Sequence, residues 1–222
     1  MDSCPIEEIE KVKTTLKYPV KLIEDNKKDF LWDFKNSIKS HVITHPSPVN
    51  EKFFHLNLLH EFIHGLHYER FSKAFSKNNF IIEYKDDPLV ELKIPDYFNC
   101  ARDWFVNAHI YRKCFKEMSL WNQTDYNKCS KYINELGDKT LNERQMLSAG
   151  LIFAEADKWQ NLTPPNYQNL QQVVEAYISV SPETPSLKKL ESLIKSLFSS
   201  IGSFIAKMAL EDGLPKWTIY KA

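Results

Sequence analysis

The chain has 222 residues, 43% of them hydrophobic and 26% charged, and its 29 basic and 29 acidic side chains cancel to a formal net charge of zero. A chain of this size and composition can bury a full apolar core without a metal or disulfide staple, and a balanced charge argues against nucleic-acid binding, because such proteins carry a basic footprint. No apolar run approaches the roughly 18 residues of a membrane span, and the start Met1-Asp2-Ser3-Cys4 lacks the basic and apolar blocks of a signal peptide, so the expectation is a cytoplasmic protein with no membrane contact.

The 11 prolines punctuate the chain and only five glycines interrupt it. In Lys27 to Ser40, Phe30, Leu31, Phe34 and Ile38 fall at i, i+1, i+4 and i+8, a pattern that predicts helix for the first region. The apolar run from about 53 to 70 predicts a second, buried helix. Phe80 to Lys85 and Leu89 to Ile94, separated by Asp86-Asp87-Pro88, predict a β-hairpin. Pro95 and Asp96 open another helix, in which Phe98, Ala101, Phe105 and Ala108 recur every three or four residues. Leu187, Leu190, Ile194, Leu197, Ile201, Phe204 and Met208 repeat at threes and fours and predict one long core helix, followed by an extended tail from Gly213. Pro164-Pro165 is the best candidate boundary and is read as a loop. The whole is expected to be mainly α with a small β-hairpin or sheet, an α+β fold. It is expected to form one domain over residues 1–222, with a helical C-terminal half from about 166 packed on the rest. Cys4, Cys100, Cys114 and Cys129 form no C-x-x-C pair and are expected to be reduced.

The informative segment is Leu59-His60-Glu61-Phe62-Ile63-His64. Residues four apart on a helix point the same way, so His60 and His64 can present two ring nitrogens to one cation. Glu61, one step round the helix, can reach a water on that cation and take its proton. The alternative is a pair of hydrogen-bonded core histidines. Leu56, Leu59, Ile63 and Leu66 predict burial of the helix, and unpaired imidazoles and a carboxylate would be costly there. A metal would offset that cost.

His-Glu-x-x-His on an apolar helix resembles the zincin metallopeptidases. The resemblance implies zinc as cofactor, a helix-rich fold with a small sheet, an active-site helix around residues 53–70, and hydrolysis of a protein or peptide substrate. The metzincin pattern would require Gly at 67 and His at 70, where His67 and Arg70 stand, so that branch is excluded. Ala101, Asp103 and Asn107 further resemble the Ala-x-Asp-x-x-x-Asn helix that follows His-Glu-x-x-His in metallopeptidase-like domains found beside von Willebrand A-type domains. This makes Asp103 the first choice of third ligand. Glu155 is a competing ligand of gluzincin type, although a surface salt bridge with Lys158 is the plainer role for it, and His67 is disfavoured because three ligands at these spacings on one helix converge poorly. His109, Tyr111, Arg102 and Tyr68 are candidates to stabilise an oxyanion, with none assigned.

The sequence therefore points to a zinc-dependent metallopeptidase with His60, His64 and Asp103 as ligands and Glu61 as general base. The alternative is a helical protein-interaction module with a structural or degenerate metal site, a reading the 13% aromatic content also suits.

Overall fold

The computed structural model describes residues 3–50, 53–71, 73–75, 81–84, 93–164, 167–201, 204–211 and 214–221. These residues form a mainly helical α+β fold: α1 (Ser3–Thr15), β1 (Val20–Glu24), β2 (Leu31–Lys35), β3 (Ser40–His45), α2 (Phe54–Arg70), β4 (Ile81–Tyr84), α3 (Ile94–Lys113), α4 (Phe115–Leu136), α5 (Glu143–Gln160), α6 (Gln168–Ile178), α7 (Leu187–Ile201), β5 (Phe204–Glu211) and β6 (Leu214–Lys221). Among the described residues, no helix is long and apolar enough to cross a membrane.

Two three-stranded sheets flank the helices. In the first, ordered β1-β3-β2, β1 runs parallel and β2 antiparallel to the central β3. The helix expected between Lys27 and Ser40 is thus corrected to a strand and a tight turn. Trp32 and Phe34 are buried while Leu31 and Ile38 are exposed, so the side chains follow a period of two once Trp32 is counted in the apolar set. The turn back into β3 is closed with Lys39 in a left-handed conformation, φ 46°. The second sheet, ordered β4-β6-β5, has β4 parallel and β5 antiparallel to β6.

Strand β4 coincides with the first run of the expected hairpin, but its described partner is β6. Leu89 to Leu92 of the second run lie outside the described residues, and Ile94 opens α3. The long helix expected to reach Met208 ends at Ile201, and Phe204, Ile205 and Met208 belong to β5. Phe204 and Ala206 are buried with Ile205 exposed between them, because a run of apolar residues satisfies both periods and pairing with β6 selects the strand. The C-terminal segment is consequently two helices followed by two strands. Its expected extended tail is β6.

Apolar packing gathers in two clusters that meet along α3. One joins α1, β2, β3, α2 and the C-terminal end of α3 through Trp32, Ile43, Leu59, Phe62, Ile63, Val106 and Ile110. The other joins the N-terminal end of α3 to α5, α6, α7 and the second sheet through Tyr97, Trp104, Phe153, Val173, Leu197 and Trp217. A disulfide links Cys4 at the start of α1 to Cys114 between α3 and α4, with Cα atoms 5.7 Å apart, so the expectation of reduced thiols is corrected for this pair. Packing across 110 residues brings the two together, which local spacing could not reveal. Cys100 and Cys129 are free.

Candidate metal centre

Helix α2 has no side-chain cap at its N-terminus and depends on burial for its stability, with Leu59, Phe62 and Ile63 fully enclosed. Gly65 eases its close approach to the first sheet. A Cβ there would stand 3.1 Å from Trp32 Nε1 and 3.2 Å from His41 Nδ1. This approach lays the Trp32 indole against the His64 ring, with centroids 6.2 Å apart and planes 15° from parallel. The indole N–H donates to His41 Nδ1 at 3.1 Å, so the His41 proton sits on Nε2 and is donated to Glu69 Oε1 at 2.7 Å. Burial holds the His41 ring below its ordinary pKa against the pull of Glu69. Glu69 also accepts from the backbone N–H groups of Lys17 and Tyr18.

One helical turn separates His60 from His64, and their Nε2 atoms lie 3.0 Å apart. Helix α3, with Pro95 in its first turn and crossing α2, brings Asp103 Oδ1 to 3.4 Å from His60 Nε2 and 3.1 Å from His64 Nε2. The three atoms form a small triangle. Ligands on a tetrahedral ion with bonds of about 2.0–2.1 Å are separated by about 3.3 Å, so the edges match one face of such a site to within a few tenths of an ångström. Glu61 completes the group. His60, Glu61 and His64 bring ligand-type atoms within 4.8 Å of one another, a cluster that can hold a metal ion.

The electrostatics of the cluster favour positive charge. Burial works to raise the Asp103 carboxyl, but the two facing rings hold it well below the usual carboxylate range. Burial opposes charge on His60, yet Asp103 and Glu61 raise it to about 9. His64 is lowered by burial and by its neighbour His60. An ionised Asp103 carboxylate in this enclosure is thus countered by positive charge on His60, beside the place a cation would take.

Behind His60 lies a chain of buried amides that sequence reasoning missed beyond Asn107. His60 Nδ1 is 2.9 Å from Asn107 Oδ1, and Asn107 Nδ2 donates to Glu155 Oε1 at 2.6 Å. Asn122 Nδ2 donates to Glu155 Oε2 at 3.2 Å and to the Ile152 carbonyl at 3.0 Å. Gln160 Nε2 in turn donates to Asn122 Oδ1 at 2.7 Å and to the Tyr111 hydroxyl at 3.1 Å. Burial pushes the Glu155 carboxyl up to about 8, against the lowering effect of the two amides.

Glu155 therefore supports His60 through Asn107, and its expected surface pairing with Lys158 is corrected. The carboxylate is 3% exposed, and Lys158 pairs with Glu183 at 3.0 Å. The signal was present in the sequence, since Phe153, Ala154 and Ala156 around it mark a buried face. His67 points elsewhere. Fully buried, it lies among Phe71, Phe75 and His109, with no hydrogen-bond partner on either ring nitrogen among the described residues.

Two clefts of about 250 and 270 Å³ reach the cluster, and His60, Glu61 and Asp103 line both. The first is also lined by Leu31 and Trp32 of β2 together with Arg102, and the second by Trp121, Leu151 and Ile152. Of the four side chains considered as oxyanion donors, Arg102 lines the first cleft. Tyr111 stacks on Trp159, Tyr68 packs on Phe34 and Trp32, and His109 lies beside His67. Comparison with protein-family models, with curated proteins and with solved structures finds no match.

Proposed function

We propose that the protein is a zinc-dependent metallopeptidase of zincin type, in which His60, His64 and Asp103 hold the ion and Glu61 is the general base. The observation that carries this reading is the triangle of two imidazole nitrogens and one carboxylate oxygen with edges of 3.0, 3.1 and 3.4 Å. Two nitrogens and one oxygen suit zinc. A bound ion would act as a Lewis acid towards water and towards a substrate carbonyl.

The chain's own residues supply the rest. Asp103 and the two rings fix the centre between the clefts, so that a peptide entering either one passes the cluster. Glu61, 9% exposed and facing both clefts, takes a proton from the attacking water and returns it to the leaving amine. Leu31 and Trp32, at the edge strand of the first sheet, flank the route of an extended peptide or protein substrate. In this reading the Cys4–Cys114 bridge favours an oxidising compartment over the cytoplasm.

The test is metal analysis with matched variants. Purified protein is expected to carry about one equivalent of zinc, His60→Ala and His64→Ala to lose it, and Glu61→Gln to keep it while abolishing peptide hydrolysis. Full zinc content in both histidine variants would sink the assignment.

A further inference from the structure

We propose that Glu155 is the positioning residue of the metal centre: its carboxylate orients the Asn107 amide, which makes His60 carry its proton on Nδ1 and turn the Nε2 lone pair towards the ion. The inference rests on the metal reading above and adds to it the device that makes one histidine ready to bind.

The argument follows the direction of each hydrogen bond. Above the pH of about 8 at which it titrates, the Glu155 carboxylate is ionised and can only accept. Facing Glu155 Oε1 at 2.6 Å, Asn107 must offer its NH₂, and its carbonyl oxygen is thereby turned to His60 Nδ1 at 2.9 Å. A carbonyl oxygen can only accept, so Nδ1 is the donor. The remaining nitrogen of the ring is the Nε2 that meets His64 and Asp103. Metal-bound histidines commonly depend on such an outer partner to fix their tautomer.

The other end of the chain is pinned. Asn122 donates from one nitrogen to both Glu155 Oε2 and the Ile152 carbonyl, while its oxygen accepts from Gln160. Turning Asn122 over would break all three contacts. Asn107, Asn122 and Glu155 are 6%, 3% and 3% exposed, so a lost partner is not readily replaced by bulk water.

Glu155→Gln keeps the shape but presents one acceptor and one donor. The pinned Asn122 claims the acceptor, and the new NH₂ meets Asn107, which has to turn over. The Asn107 nitrogen then faces His60 Nδ1 and drives the ring proton to Nε2, where it competes with the metal. The double variant N107D/E155Q restores every direction: the new carboxylate accepts from His60 Nδ1 and from the new amide, whose oxygen accepts from Asn122.

The experiment measures zinc affinity by chelator competition, and the ring ¹⁵N shifts of His60 in the metal-free protein, above the pH of about 8 at which Glu155 titrates and that of about 9 at which His60 becomes neutral, so that one ring nitrogen carries the proton. Thermal unfolding serves as the control for folding. Glu155→Gln is expected to bind zinc about 10- to 100-fold more weakly and to show an unprotonated Nδ1, and N107D/E155Q to recover both. Wild-type zinc affinity in Glu155→Gln, an Nδ1 that stays protonated in it, or a double variant no better than the single would overturn the proposal. Should Glu155→Gln fail to fold, a folded double variant with wild-type affinity supports the inference and a weak-binding one defeats it. If the wild-type chain takes up no zinc, the metallopeptidase reading falls, and the His60 shifts alone decide whether Glu155 sets the tautomer.

Discussion

His67 illustrates how a side chain three residues from the cluster can be excluded from it by its distance along the helix. Positions 60, 64 and 67 share one helix face, but the rise of 1.5 Å per residue sets His67 about 10 Å along the axis from His60, and its ring ends in an apolar site with both nitrogens unsatisfied among the described residues. Burial lowers its pKa well below 6.5, and burial with the nearby Arg112 lowers that of His109 to about 4. A ring whose pKa is lower folded than unfolded binds its proton in the unfolded chain first. Stability is then intact above 6.5 and falls as the pH drops towards the folded value, by about 1.4 kcal/mol per pH unit for each ring. Urea titrations between pH 7 and 4 are expected to show that slope. His67→Leu, which replaces two orphaned polar atoms by apolar ones, is expected to flatten it and to raise stability at pH 7 by about 1 kcal/mol. A variant less stable than wild type at pH 7 would show that the ring has a partner there. Of the residues at the centre, His60, Glu61 and His64 were legible from their spacing, whereas Asp103 was reached through resemblance and spacing together. Trp32 and His41 were hidden because they converge on α2 from strands in a region read as helix, and Glu69, on α2 itself, because its partner His41 lies there.

Among the elements, α5 shows most clearly how local rules serve the centre, since it carries both Glu155 and Gln160. Its start is fixed by a capping box, in which Asn142 Oδ1 accepts from the Gln145 backbone and the Gln145 side chain accepts from the Asn142 backbone. Its end is fixed by Asn161 in a left-handed conformation, φ 54°. Asn142→Ala is expected to cost about 1 kcal/mol in denaturant unfolding. Gly150, midway along α5, lets α6 approach: a Cβ there would stand 2.5 Å from Val173 Cγ1. Gly150→Ala is expected to cost about 1–3 kcal/mol through overpacking, and Val173→Ala in the same chain to recover part of it. An additive loss in the double variant would place the strain elsewhere. Helices α2 and α3 were legible because their apolar residues keep one period throughout and because Pro95 marks a start. The passage from α7 to β5 was not, since Phe204 and Met208 continue the helical spacing and only pairing with a distant strand decides their state.

At the level of the whole chain, the Cys4–Cys114 bridge closes a loop of 110 residues. By the loop-entropy argument it stabilises the native state by about 4–5 kcal/mol relative to the reduced protein. Unfolding measured with and without reductant is expected to differ by that order, and Cys4→Ser to match the reduced form. Equal stabilities would mean that the bridge is absent in solution. The first and last halves of the chain otherwise meet chiefly along α3, whose two ends belong to different apolar clusters.

The centre straddles that seam. His60 and His64 belong to the body built on the first sheet, while Glu155 stands in the other, and Asp103 and Asn107 lie on the beam between them. A cation seated there would act as a rivet through both bodies. Stripping it with a chelator is therefore expected to quicken amide exchange along α2 and α5 together, while leaving the far strands β5 and β6 as slow as before.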